Sequence, residues 1–308
     1  MSGAEPDVAV AGAGVIGLTV AVLAAERGLT VRVWTRAEPG DTTSAVASAM
    51  IGPAGGPGDS RGQAGVAAFT ALAGEPGTGV TMRRGRLASR EPGELPPGVR
   101  ACAAAEIPAG YAVAGWARLP IVEMPVYLDY LVRRLAAAGG TIGPASFSSL
   151  AELASLAPLV ANCTGLGARE LVPDAELTPV RGQHVIVANP GIEEFFIADP
   201  YAPEWAAYWP YPGHVVLGGI RASGDERDEP DPAVAEAIVR RCAAVEPRLG
   251  AAPVLGHHTG LRPLRPAVRL DAEQVGGTRV VHNYGHGGGG VTQSWGCAAE
   301  ALALLLSE

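Results

Sequence analysis

Two glycine-rich loops, one near each end of the chain, restrict the possible folds more than any other feature. Each stands between a β-branched run and an apolar helix. The second runs Val281-His282-Asn283-Tyr284-Gly285-His286-Gly287-Gly288-Gly289-Gly290-Val291-Thr292, with five glycines in the six residues that start at Gly285. The first is Gly12-Ala13-Gly14-Val15-Ile16-Gly17. Backbone N–H groups at a helix start have no partner within the helix and favour negative charge. Glycine lets a ligand come within contact distance of the main chain. Two such loops imply a large, partly anionic cofactor gripped from both ends of the sequence.

The surroundings of the first loop give it weight. Asp7 to Ala11 reads as a buried strand, Val15 to Arg27 as a helix closed at Gly28, and Leu29 to Thr35 as a second strand. A G-x-G-x-x-G in a βαβ unit is a dinucleotide-binding signature, whereas a lone triad is not. Further along, Met124 to Ala138 has helical spacing, and Ala157 to Ala161 reads as a strand running into Asn162-Cys163-Thr164-Gly165. Arg181 to Ala188, Trp205 to Tyr211, His214 to Ile220 and Arg279 to Asn283 read as further strands. Asp231-Pro232 starts a helix that reaches about Ala244. Residues 52–65 are dense in Gly and Pro and read as a loop. The expected fold is α/β: a Rossmann-like domain built from residues 1–50, 125–178 and 255–308. Residues 51–124 and 179–254 form an inserted, largely antiparallel substrate domain in this reading.

Composition removes several functions. The chain has 308 residues and a net charge of −8, which argues against nucleic acid or an anionic membrane as partner. All 23 basic residues are arginine. Without lysine there is no pyridoxal Schiff base, no Walker-type phosphate lysine and no lysine base. The apolar run from Val8 to Ala25 is as long as a membrane span. It contains Gly12, Gly14 and Gly17 and follows Glu5 and Asp7, so it reads as strand, turn and buried helix. Four scattered cysteines without a C-x-x-C read as thiols. His257, His258, His282 and His286 lack the spaced partners of a metal site, and Ser294 lacks a G-x-S-x-G elbow. Leu306-Ser307-Glu308 is no peroxisomal address, and a cytoplasmic location is expected.

Four segments can converge on one cofactor. The loop Gly12 to Gly17, comprising Gly12, Ala13, Gly14, Val15, Ile16 and Gly17, would seat a pyrophosphate. Thr42, Thr43 and Ser44 supply hydroxyls beyond the second strand. Thr164 and Gly165 end a parallel-type strand, and Gly287, Gly288, Gly289, Gly290, Val291 and Thr292 open the last helix. An isoalloxazine ring gains negative charge at its N1–C2=O edge on reduction, and a glycine loop at a helix start answers that charge. Nicotinamide has no such need, so FAD is preferred to NAD. The usual ribose-binding acid is missing: the second strand ends Thr35-Arg36-Ala37, which leaves Arg36 as the candidate contact there.

These segments resemble the D-amino-acid oxidase and D-aspartate oxidase family. The resemblance rests on residues 10–18, Asn162-Cys163-Thr164-Gly165, Arg181-Gly182-Gln183, Gly260-Leu261-Arg262-Pro263-Leu264-Arg265-Pro266 and, most specifically, His282-Asn283-Tyr284-Gly285-His286-Gly287-Gly288. It runs from end to end but is poor around residues 55–115. It implies non-covalent FAD, a two-domain fold, a possible homodimer, and oxidation of a D-amino acid to the imino acid. The α-hydrogen would leave as hydride to flavin N5, with O2 reduced to H2O2. By the same resemblance Arg269 clamps the substrate carboxylate, Tyr208 donates to it, and the Gly288 carbonyl accepts from the amine. Arg221 matches a pocket position that is arginine in the D-aspartate oxidase branch, where it would meet an acidic side chain. Gly289 stands where some members carry an aromatic, and Glu204 where a second tyrosine would fall. The rival readings are a glycine- or sarcosine-type amine oxidase and a redox-inactive FAD-binding sensor or scaffold. Trp116, Trp205, Trp209 and Trp295 read as core or wall residues.

Overall fold

The computed structural model of the protein describes residues 5–53 and 59–307. It opens with β1 (Val8–Ala11), α1 (Val15–Glu26) and β2 (Val31–Thr35). Parallel pairing continues through β15 (Thr278–His286), β8 (Leu159–Asn162), β1, β2 and β7 (Thr141–Pro144), in that order. Such strands are covered on both faces and are therefore apolar throughout, as β1 is. On one face lie α1, α3 (Met124–Ala137) and α7 (Gly290–Leu306), and on the other α4 (Leu150–Ala154). This is the Rossmann-like half.

The sheet does not stop there. β15 pairs antiparallel with β14 (Val254–Val275), and β14 with β9 (Thr178–Ala188). Mostly antiparallel pairing continues through β12 (His214–Ile220), β11 (Glu204–Tyr211), β10 (Phe195–Ala198), β4 (Val80–Ser89), β6 (Val113–Val122) and β3 (Ala49–Met50). The result is one 15-stranded sheet, with the short β5 (Arg100–Ala101) and β13 (Ala222–Ser223) attached at its side. α6 (Pro232–Val245) covers one face of the antiparallel half, and its Asp231 cap accepts from the Ala233 and Val234 N–H groups.

Two features differ from the expectation. Within residues 52–65, Ser60 onward is already helical: α2 (Ser60–Leu72) is capped by Asp59, which accepts from Gly62 N–H at 2.9 Å. Residues 54–58 of that expected loop lie outside the described residues. α2 packs against α7, and its Phe69 and Leu72 join the core of the Rossmann-like half. The last strand also continues to His286, so the turn proper is only Gly287 to Gly289. Among the described residues no helix is long and apolar enough to cross a membrane.

Candidate active site

The first loop needs its glycines for packing. Gly12 has φ +103°, and a Cβ there would stand 2.4 Å from the Cys163 carbonyl oxygen and 3.4 Å from Thr164 Cα. A Cβ on Gly17 would stand 1.9 Å from the Gly12 carbonyl oxygen. α1 therefore sits directly on the loop, and the turn after β8 lies beside it. That turn is held by a relay. Asn162 Oδ1 accepts from Thr164 Oγ1 at 2.7 Å, and Asn162 Nδ2 lies 3.1 Å from His282 Nδ1, whose Nε2 is 2.7 Å from Glu273 Oε1. The amide can only donate to Nδ1, so Nε2 carries the hydrogen and donates to Glu273. His282 thus ties β15 to the Thr164-Gly165 turn.

α1 and α7 both begin at a glycine N-cap, Gly14 and Gly289, with no side-chain cap of their own. The Val15 N–H is met from a distance, by Ser44 Oγ at 3.0 Å. From Ser44 the chain crosses onto the sheet. A Cβ on Gly260 would be 2.9 Å from Val46 Cγ2, and Ser48 Oγ lies 3.3 Å from His184 Nε2. On β9, strand alternation puts Gly182, His184 and Ile186 on this face and Arg181, Gln183 and Val185 on the face under α6. Arg262, paired opposite Val180, shares the His184 face. Its Nη1 donates to the Ile220 carbonyl at 3.3 Å.

The ring closes at the second loop. A Cβ on Gly288 would lie 3.6 Å from Arg221 Nη1 and 3.9 Å from Arg262 Cδ, and one on Gly290 would lie 4.0 Å from Ile16 Cδ1. Two helix starts, bare main chain, two arginines and the Ser44–Ser48 segment thus enclose one place. Among the described residues neither Arg221 nor Arg262 forms an ion pair. Burial and then the charge of Arg221 push Arg262 down to about 10, still a cation at neutral pH. Burial, reinforced by Arg262 and His258, pushes His184 down to about 3, so it stays neutral.

Arg269 is engaged elsewhere. Its Nε donates to Asp271 at 3.2 Å and its Nη1 to Tyr284 Oη at 3.0 Å. Tyr284 in turn donates to Asp174, which pairs with Arg265 at 3.0 Å. Nothing of Arg269 lies within 4 Å of a Cβ position on Gly288. Tyr208 faces α6, stacked on Phe196 at 5.6 Å, among Val185, Ile238 and Cys242. Burial pushes its phenol up to about 12. The strand turns Trp209 and Trp205 to the other face instead: Trp209 meets His184 edge-on at 6.0 Å and Trp205 at 5.7 Å. Both indole Nε1 atoms are buried and find no hydrogen-bond partner among the described residues. Thr42 Oγ1 donates to the Pro39 carbonyl at 2.8 Å, Thr43 is exposed, and Arg36 is exposed beyond β2. Val291 and Thr292 form the first turn of α7, and the Thr292 carbonyl is covered by Gly65 of α2. Ser294 Oγ donates to the Val291 carbonyl and meets no histidine. Among the described residues no group of three or more His, Cys, Asp or Glu is placed to hold a metal ion.

The sequence reading gave no site role to Arg262, His184 or Ser48, which the structure brings beside the second loop or the Ser44–Ser48 segment, and it took Trp205 and Trp209 as core or wall residues. Alternation along β9 and β11 places His184, Trp205 and Trp209 once one face is known to lie under α6; Arg262 on β14 and Ser48 in the loop before β3 carry no such signal.

The bare main chain at Gly12 and Gly14 and the uncapped starts of α1 and α7 fit FAD: pyrophosphate at the first helix, the electron-rich ring edge at the second. A parallel half with this first loop, closed by a second glycine loop at a sheet boundary, defines a flavin-dependent oxidoreductase. The FAD dependent oxidoreductase family profile matches residues 7–304. A D-amino-acid oxidase of Streptomyces coelicolor is 48% identical over 315 residues, covering 97% of this chain and 97% of that protein. A D-amino-acid oxidase of Rubrobacter xylanophilus is 48% identical over 308 residues, covering 96% and 94%. The glycine oxidase structure from Geobacillus kaustophilus superposes with a TM-score of 0.84 at 18% identity, covering 97% of this chain and 94% of that one. That likeness shows the fold. The chain belongs to the D-amino-acid oxidase family, and FAD is its cofactor.

Proposed function

We propose that the protein oxidises D-amino acids to imino acids, which hydrolyse to 2-oxo acids and ammonia, with O2 reduced to H2O2. Bound FAD supplies the two-electron acceptor. Arg262, rather than Arg269, takes the α-carboxylate in this reading, because among the described residues its guanidinium has no ion-pair partner and its Cδ lies 3.9 Å from a Cβ position on Gly288, whereas Arg269 already serves Asp271 and Tyr284. A planar guanidinium holds a carboxylate through two parallel hydrogen bonds. The Gly288 carbonyl accepts from the amine, and Trp209, with Trp205 behind it, walls the pocket and excludes water. Neutral His184 adds no repulsion to the two nearby arginines. No protein base is assigned: the neutral amine needs only alignment, which supplies much of a rate enhancement.

Arg221 gives the finer reading. Two unpaired guanidiniums side by side repel each other, and one carboxylate answers only one of them. A second carboxylate on the substrate side chain would answer Arg221, which favours D-aspartate and D-glutamate. The domain division keeps residues 1–50, 125–178 and 255–308 as the FAD-binding part. Helix α2 is added to that part, because it packs on α7.

The carrying observation is the pair of arginines against Gly288, neither of them with an acidic partner among the described residues. Anaerobic titration of the yellow protein with D-aspartate, D-glutamate, D-alanine, D-proline and glycine tests it. Bleaching by D-amino acids, at lowest concentration by the acidic ones, is the expected result. Bleaching by glycine alone would shift the reading to a glycine-type oxidase, and yellow protein that none of them bleaches would shift it to a redox-inactive binder.

A further inference from the structure

The triplet Arg181-Gly182-Gln183 on β9 serves two faces of the sheet at once. Arg181 and Gln183, both fully buried, secure the segment that leads into α6. Arg181 donates to the carbonyls of Arg227 at 2.9 Å and Glu229 at 2.7 Å. Gln183 accepts from the Asp231 N–H at 2.9 Å and donates to the Asp231 carbonyl at 2.8 Å. Gly182 faces the other way. A Cβ there would stand 2.5 Å from Arg262 Nη2, 2.6 Å from Nη1 and 2.7 Å from Cζ, so the whole guanidinium plane lies against the bare main chain. The cross-strand neighbour of Gly182 is Gly260, also bare on this face, with Val46 above it. Gly182 is mid-strand and outside the left-handed region, so its backbone does not require glycine. The guanidinium does.

We propose that Gly182 is a positioning residue: it is the seat that sets the depth and tilt of Arg262, and through them the affinity for the substrate carboxylate. The proposal rests on Arg262 being the carboxylate clamp. Carbon and nitrogen atoms need about 3.5 Å between them, so a methyl on Gly182 would push the guanidinium out by about 1 Å. That retreat breaks the bond to the Ile220 carbonyl and releases the guanidinium from its seat. The obstructed atoms are the free end of a long side chain, so the strand itself has no reason to shift. A displacement of this size at a substrate-positioning group costs on the order of 10²-fold in turnover efficiency.

The test is a double-mutant cycle on the FAD-loaded protein with Gly182→Ala, Arg262→Met and both together. Binding of propionate, with propionamide as the uncharged control, is followed by the change it makes in the flavin spectrum. Steady-state KM and kcat are measured for the best D-amino acid. Gly182→Ala should weaken propionate binding and raise KM at least tenfold, change kcat less, and leave FAD content, Tm and propionamide binding as in the parent. In the Arg262→Met background the same alanine should change propionate binding less than twofold. An equal loss in both backgrounds, a parent-like Gly182→Ala, or loss of FAD or fold in Gly182→Ala would each overturn the proposal. If Arg262→Met binds propionate like the parent, the clamp assignment itself fails, and the Gly182 proposal falls with it.

Discussion

At the scale of single residues, Arg262 and Arg269 of β14 share a strand but not their surroundings: the first lies against Gly182 and the second serves Asp271 and Tyr284. Losing a charge-assisted hydrogen bond costs roughly 1.5–3 kcal/mol, and each 1.4 kcal/mol is about tenfold. Arg262→Met removes a bidentate pair, so kcat/KM should fall about 10²-fold or more, with Tm little changed. Arg269→Met should lower kcat/KM by less than about tenfold and lower Tm, because Asp271 and Tyr284 lose their donor. Steady-state kinetics and thermal unfolding of both variants check this, and the reverse ranking would return the clamp to Arg269. Residue type was legible in the sequence: a run of three arginines among prolines, and an aromatic cluster before a hairpin. Direction was not. Tyr208 and Trp209 are neighbours, and period-two alternation sends them to opposite faces, both of them buried, and only the position of α6 says which one it covers.

Among the elements, the βαβ opening and the helix after the last glycine loop were readable because each joins a period change to a glycine signature. α2 and β14 were not. α2 carries Gly62 and Gly65, both poor helix formers, just after a Gly/Pro-dense stretch. β14 carries Pro263 and Pro266, and its register shift between Leu264 and Arg269 breaks the alternation. Two helix glycines, Gly65 of α2 and Gly296 of α7, have a structural purpose. A Cβ on Gly65 would come 1.6 Å from the Thr292 carbonyl oxygen, and one on Gly296 would come 2.5 Å from Arg61 Cα. Both collisions are with main chain and cannot be relieved by a rotamer. Overpacking of this kind costs about 1–3 kcal/mol, so Gly65→Ala and Gly296→Ala should each lower Tm by several degrees. Gly93→Ala, with nothing within 4 Å, should not. Gly288→Val separates packing from cofactor binding: among the described residues a Cβ there meets side chains only, the Arg221 guanidinium and the Arg262 stem. FAD content and activity should fall while the apoprotein keeps its Tm, and a variant with full colour and activity would contradict the loop assignment.

Across the whole molecule, the site lies where the sheet changes from parallel to antiparallel pairing, at β15 and β14. Placing it there puts basic residues in the interior and gives stability a dependence on pH. His184 and His286 are pushed by burial to about 3 and about 4, and the charges facing them, Arg262 and His258 for the first and Arg61 for the second, act in the same direction. In the unfolded chain both return to about 6.5. The folded pKa values are thus the lower ones, and the unfolded chain binds more protons between about pH 4 and 6.5. Stability from these two groups is complete above pH 6.5 and is lost as pH falls toward 4. At pH 5 each costs about 2 kcal/mol relative to neutral pH. Glu300, held below the usual carboxylate range by Arg61, contributes its loss only at lower pH, so the upper window belongs to the histidines. Tm measured by thermal unfolding should therefore fall steadily from pH 7 to pH 5. His184→Gln, which keeps a polar group for Ser48 but cannot take up a proton, should flatten part of that fall, the rest belonging to His286 and to His258 and His282, which burial also holds below the usual imidazole value. A Tm that is level across the window, or an unchanged slope in His184→Gln, would mean that neutral His184 is not what the packing beside Arg262 demands.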